Sequence, residues 1–407
     1  MEEAYIVAYG RSPIGKGRQG GAYYYERPED IAAQVLNGVI ARVGSAFESR
    51  MIEDIVVGCS IPENMQGMNI GRRIALRAGL SEQIPGQTVN RFCASGLQAI
   101  AIASNAIMAK QADILVAGGV EFLSTTTFNN PEMTNNLFLE ENGSHLSTSM
   151  GLTAENLAEK YQISQDEQDH FAIESHRKAY QAQITGRFED EIIPVQVKNV
   201  KVQEGRPHVT EFTFKEDQGI RSDTNQDQLR KLPKVFKQGG TVTAATSSQI
   251  SDGASFVVLM SSSKVKELGI QPIAKFMGYK VVGVEPDVMG IGPAYAIPKV
   301  LDLVGLSMED IDVIELNEAF AAQALAVIKH LNLDQNIINP NGGAIALGHP
   351  NGATGAILTA RLLAEMRKQA QSKYGIVTMC IGGGMGAAAV FKYIGCKTNL
   401  NGAYGRG

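Results

Sequence analysis

Long hydrophobic runs are missing from this chain of 407 residues. No apolar stretch reaches the roughly 18 charge-free residues that a membrane span needs, so no membrane segment or membrane partner is expected. Cysteine is scarce, four residues without disulfide-framework spacing, which points to a reducing compartment, the cytoplasm. Met1 to Tyr9 lacks the features of a secretory signal, and Gly405-Arg406-Gly407 is not a peroxisomal address. Positive charge is not in excess either: the formal net charge is −5, so nothing draws the chain to nucleic acid. His145, His170, His176, His208 and His330 form no i,i+4 pair and neighbour no cysteine at metal-ligand spacing. They read as surface residues, and no metal is expected.

Two nucleotide-binding signatures also fail. Gly10-Arg11-Ser12-Pro13-Ile14-Gly15-Lys16-Gly17 approaches the phosphate-loop pattern but ends in Gly17, where Ser or Thr must hold Mg²⁺. Gly382, Gly384 and Gly386 are wrongly spaced for a dinucleotide fingerprint and too near the chain's end for a βαβ unit to follow.

The length calls for two or three domains. Strand and helix patterns alternate through the first third: Ala4 to Tyr9, helix Pro28 to Val43, Ile52 to Cys59, helix Asn69 to Ala78, Gln87 to Asn90, helix Ser95 to Lys110, Ile114 to Ala117. The last third repeats the order, with strand Asp312 to Leu316, helix Glu318 to His330, extended Asn336 to Asn339, helix Gly355 to Arg367 and strand Ile376 to Cys380. Alternation of this kind predicts α/β layering. Asp54-Ile55-Val56-Val57 matches Asp312-Val313-Ile314-Glu315, and the turn Cys93 to Gly96 matches Asn351 to Gly355, both at an offset of about 258 residues. An internal duplication follows. Between the halves, about Phe122 to Gln249, Asn, Thr, Ser and charge dominate, with helices predicted over Thr153 to Tyr161 and Gln165 to Thr185, so this stretch reads as an exposed insertion.

Three distant segments carry chemistry. Cys93 sits between a strand and the helix starting at Ser95, where unpaired N–H groups and the helix dipole favour a thiolate. His349 lies in a tight turn between a glycine-rich strand end and Pro350. Cys380 ends an apolar strand and precedes Gly382, Gly383 and Gly384, which permit close approach of a ligand to backbone N–H groups. Cys59 and Cys396 read as ordinary packing residues.

These segments resemble the thiolases, the acyl-CoA C-acyltransferases, from about Ala4 to Tyr393. Asn90-Arg91-Phe92-Cys93-Ala94-Ser95-Gly96-Leu97-Gln98-Ala99 is similar to the thiolase nucleophile segment and Asn317-Glu318-Ala319-Phe320 to its asparagine segment. Gly342 to Pro350 resembles its histidine segment, and Cys380 to Gly384 its second cysteine segment. The resemblance implies a layered α-β-α-β-α fold of two related core domains, 1–121 plus about 250–272 and 273–407, with 122–249 as a loop domain covering coenzyme A. It implies that Cys93 takes the acyl group, His349 removes its proton and Cys380 acts as base at the carbon acid. His349 with an Asn317-held water would form one oxyanion site, and the N–H groups of Cys93 and Gly382 the other. Coenzyme A would be substrate and product with no resident cofactor, contacted by Arg221, Ser248, Met150 and Phe320. A homodimer or homotetramer is implied, with Ser124 to Ser149 near tetramer contacts.

Ser149 stands where short-chain biosynthetic thiolases have histidine, and Asn90-Arg91-Phe92-Cys93 is closer to the degradative branch. Asn351 and Ala353 replace the leucine and cysteine usual in degradative members. Both condensation of two acetyl-CoA and thiolytic cleavage of 3-oxoacyl-CoA therefore stand as expectations. The alternatives are a decarboxylating condensing enzyme of the ketoacyl-synthase type and a non-catalytic acyl-CoA or lipid-binding protein on the same scaffold.

Overall fold

A computed structural model describes residues 2–126, 136–203, 205–369 and 371–395. Cys396 and part of the stretch Ser124 to Ser149 lie outside them. The strands are β1 (Ala4–Arg11), β2 (Gly15–Lys16), β3 (Asp54–Gly58), β4 (Gln87–Val89), β5 (Ile114–Phe122), β6 (Val195–Gln203), β7 (Arg206–Phe214), β8 (Ser251–Ser261), β9 (Ala274–Gly283), β10 (Val313–Leu316), β11 (Tyr374–Ile381) and β12 (Met385–Tyr393). The predicted helices form with ends shifted by a few residues, among them Ser95–Met108 and Asn351–Lys368. The sequence reading did not name β8, β9, β12 or the Gly292–Val304 helix.

The main sheet runs β10-β11-β12-β9-β1-β8-β5-β3-β4, and β6 and β7 form a separate hairpin. Its two halves repeat one pattern outward from the centre. β1 to β8 and β8 to β5 are antiparallel, then β5 to β3 and β3 to β4 parallel. In the other half, β9 to β12 and β12 to β11 are antiparallel and β11 to β10 parallel, and Ile338 adds a parallel bridge at Ile314. The half-sheets pair at Tyr5↔Lys275 and Ile6↔Ala274. β5 and β8 are buried along their whole length, as strands covered on both faces must be.

Helices complete five layers. Pro28–Ala41 covers the outer face of the first half and Gly292–Val304 that of the second, while Ser95–Met108 and Asn351–Lys368 pack together between the halves. The cores, however, are not separate. The central one combines Leu97, Ile100 and Val257 with Leu362, Val377 and Phe391, so each half completes the other's packing.

Where the two central helices meet, their backbones touch. A Cβ on Gly96 would lie 2.9 Å from Gly352 O, and one on Gly355 would lie 2.4 Å from Leu97 N. Neither backbone atom has room to retreat.

The Gly10 to Gly17 segment is structural. Arg11 is fully buried, pairs with Glu191 and Asp217, and stacks on Phe188, whose ring Arg361 also approaches. Ile14 N–H donates to Asp217 and Gly17 N–H to Ile250 O, so this loop's amides hold the insertion to the core rather than a phosphate. His176, expected at the surface, is buried and accepts from Arg221 N–H, because its helix Gln165–Ile184 packs one face inward; the other four of that set are exposed.

Gly355→Ala should destabilise the protein by about 1–3 kcal/mol, the usual cost of overpacking. A melting temperature equal to that of the parent would refute this account of the helix crossing.

Candidate active site

The close helix crossing decides where the reactive residues lie. Cys93 comes two residues before the Ser95–Met108 helix and His349 two before Asn351–Lys368, so both stand at the same end of the packed pair. Phe92, just ahead of Cys93, adopts a left-handed φ of 45°. That strained turn is held by Ser95 Oγ, which accepts from Arg91 N–H and donates to Phe92 O, and by Phe92 N–H donating to Asn90 Oδ1.

Gly382 N–H and the Cys93 N–H both reach the Cys93 sulfur, which also acts electrostatically on Cys380. Cys380 is the penultimate residue of β11, two beyond Thr378, whose carbonyl accepts from Asn317 N–H. His349 and Asn317 form the next link, with Asn317 Nδ2 at 3.4 Å from His349 Nε2, and Thr354 Oγ1 at 2.6 Å from Nδ1. An amide nitrogen only donates, so this pairing fits an imidazole with its proton on Nδ1 and a free lone pair on Nε2. Asn317 Oδ1 is buried without a hydrogen-bond partner among the described residues. Glu318 is structural: Ser175, Asn339 and Ile345 N–H saturate its buried carboxylate, which braces the backbone at Gly343.

The thiolate expected at Cys93 is not the resting form. Burial pushes its thiol up to about 11, and the charge of Glu121 adds to this, while the Gly382 N–H opposes it. Desolvation outweighs the helix terminus because the half-buried sulfur precedes the first turn and lies against Gly382 of the other half. Burial, with the neighbouring Cys93, also raises Cys380, and burial alone lowers His349 to about 4. The site rests with two thiols and a neutral imidazole.

The remaining predicted residues form two groups. Met150 opens the Met150–Lys160 helix, its sulfur 3.7 Å from where a Cβ on Gly382 would lie. Phe320 is buried against Phe236, which also covers Gly151, and Ser247 and Ser248 run beside it through a bridge and the Ser248 N–H to Ala319 O bond. Arg221 stands apart, beside His176 and two residues beyond Gly219, which Gln249 ties to Ile345 and Ala346 of the histidine segment. The sequence reading missed Phe92 and Leu146, whose side chains lie 3.8 and 3.4 Å from a Cβ on Gly383, and Thr354.

Since His349 stays neutral well below its usual value, catalysis should not be lost as pH falls from 7 to 5.5, and an acid limb belongs near pH 4 to 5. Alkylation of Cys93 should climb steadily above neutrality without levelling before pH 10. A plateau of alkylation by pH 8 would contradict the raised, half-buried thiol.

Comparison with known proteins gives the family. Residues 4–263 match the thiolase N-terminal domain and residues 270–393 the thiolase C-terminal domain. The 3-ketoacyl-CoA thiolase of Bacillus subtilis (strain 168) is 46% identical over 393 residues, 96% of this chain and 100% of that protein. The crystal structure of the Bacillus anthracis acetyl-CoA acetyltransferase superposes with a TM-score of 0.86 at 37% identity, covering 97% of this chain and 99% of that one. The dimeric peroxisomal thiolase of Saccharomyces cerevisiae gives 0.86 at 39% identity over 96% and 97%. These matches do not favour the decarboxylating or the non-catalytic alternative. On sequence, fold and site together, the chain belongs to the thiolase family.

Proposed function

We propose that this thiolase cleaves 3-oxoacyl-CoA with coenzyme A by passing the acyl group through Cys93. The observation that carries the reading is the convergence of Cys93, Cys380 and the Gly382 N–H at one end of the helix pair that also presents His349, whose Nε2 Asn317 meets from the end of β10.

Cys93 Sγ adds to the C3 carbonyl as its proton passes to His349 Nε2. Transfer accompanies attack, because a thiol near 11 does not ionise fully onto an imidazole near 4 beforehand. The C3 oxyanion accepts from the N–H groups of Cys93 and Gly382, donors that need no reorganisation. The C2–C3 bond then breaks, leaving an acyl thioester on Cys93 and the enolate of acetyl-CoA. That enolate is held by His349 and a water on Asn317, whose orphaned Oδ1 suits such a guest. Cys380, kept as a thiol by burial, protonates C2 and regains its proton through His349. Coenzyme A's thiol attacks the acyl group with its proton going to His349, which returns it to the departing Cys93. Run backwards, Cys380 deprotonates acetyl-CoA and two acetyl units condense.

Phe92, Leu146 and Met150, all more than a third exposed, stand around Gly382 and Gly383 as an apolar seat for the acyl chain. Arg221 faces the nucleotide end of coenzyme A; Ser248 and Phe320 line the pantetheine arm; coenzyme A is substrate and product, with no resident group. We assign 1–121 with about 250–272 and 273–407 as core domains and 122–249 as the cover. The exposed edge of β4 supports a homodimer, as the dimeric yeast relative does. A cytoplasmic setting fits the bacterial relative, and no described helix is long and apolar enough to cross a membrane.

Cys93→Ala should abolish both acyl-enzyme and turnover, and Cys380→Ser should retain acylation from acetyl-CoA while losing condensation. Full turnover by the Cys93 variant, followed by mass spectrometry and steady-state kinetics, would sink the reading. Each added methylene that finds the seat is worth about 0.8 kcal/mol, so kcat/KM should rise about fourfold per methylene from 3-oxobutanoyl-CoA upward until the seat is filled. Leu146→Ser should flatten that rise; a profile flat in the parent enzyme would remove the seat.

A further inference from the structure

Glu121 is fully buried at the end of β5, outside every motif that carried the site. Sheet register gives it a counterpart. Ile55 pairs with Val116 as its match Val313 pairs with Gly375, and five residues further along these strands stand Glu121 and Cys380. The two positions are related by the duplication. Each lies by the first turn of the other half's central helix, Cys380 beside Cys93 and Glu121 beside Gly352.

The carboxylate has no spare capacity. Its oxygens accept from Ser60 N–H at 2.7 Å, Ile61 N–H at 3.2 Å and Gly352 N–H at 2.8 Å, from the Gln66 amide, and at 3.6 Å from the Cys59 thiol. The connections continue on both sides. Ser60 O accepts from Asn90 Nδ2, and Asn90 Oδ1 accepts from Phe92 N–H, the residue before the nucleophile. Gly352 opens the helix whose Thr354 orients the His349 ring. A Cβ on Gly352 would lie 2.7 Å from the Glu121 carboxylate and 2.6 Å from Ser60 N, so the joint admits no side chain.

We propose that Glu121 is a positioning residue for the reaction, its carboxylate clamping the turn that carries Cys93 and the helix that orients His349 into one rigid unit. Glu121 is where the two halves of the site are held in register. A carboxylate suits the task because it only accepts, and three backbone N–H groups from two halves converge on it. Its negative charge also disfavours a Cys93 thiolate, to which it adds after burial itself. Glu121 acts electrostatically on the Cys93 sulfur, and that sulfur acts on Cys380, while His349 faces it in the proposed reaction. The proposal rests on the reading that Cys93 carries the acyl group and His349 serves it.

The test is Glu121→Gln, which keeps the shape but turns one acceptor into a donor facing N–H groups. The kcat for 3-oxoacyl-CoA cleavage should fall about 10²-fold, the cost of a misplacement of about 1 Å, with KM little changed. Iodoacetamide labelling of Cys93, followed by peptide mass spectrometry, should shift its pH profile to lower pH, and Asn90→Ala, which loosens the turn but keeps the Glu121 charge, separates that shift from loss of packing. Asn90→Ala, at an exposed position, cuts only the arm to the nucleophile and should lower the acylation rate while leaving the labelling profile in place. Normal kcat and an unmoved profile in Glu121→Gln would overturn the proposal. If that variant does not fold, normal acylation by Asn90→Ala overturns it instead. Neither result touches the reading of Cys93, which Cys93→Ala decides separately.

Discussion

The structure turns on a backbone contact between two helices. Gly96 against Gly352 and Gly355 against Leu97 let the first turns of the central helices approach as closely as main chains allow. Cys93 and His349 are placed by that crossing, because each lies two residues ahead of one of the two helices. Two helix N-termini therefore converge where the reaction develops negative oxygens, and both dipoles favour that charge.

Burial then sets the chemistry. The same desolvation raises both thiols and lowers the imidazole, so the free enzyme holds a neutral site. Charge appears only during reaction, and the Cys93 and Gly382 N–H groups already face the sulfur before it does. The helix-terminus argument made from sequence could not weigh desolvation by the second half of the chain, and the N–H groups that reach the sulfur are those of Gly382 and Cys93 itself.

The local patterns were readable. Helices Pro28–Ala41, Ser95–Met108 and Gln165–Ile184 lie within two residues of their expected ends, and the duplication seen at Asp54 and Asp312 returns as two half-sheets with one strand order. Cys93, His349, Cys380 and Asn317 stood out as candidates because cysteine, histidine and asparagine beside glycine turns are unusual company. Glu121 was not, since an acidic residue ending an apolar strand looks like an exposed terminus. Leu146 and Phe92 were missed for a similar reason: nothing local ties a loop leucine to a glycine turn more than two hundred residues away.

By itself the sequence determined the layered α/β class, the repeat and the residue types able to carry an acyl group and move protons, because those depend on periodicity and on chemistry carried within a few residues. Tertiary structure decided that the halves share one central core, that Arg11 and His176 are buried, that Cys93 rests as a thiol, and that Glu121 joins the nucleophile's turn to the histidine's helix. These outcomes depend on what each group finds opposite it, and in a duplicated fold the opposite face comes from the other half of the chain.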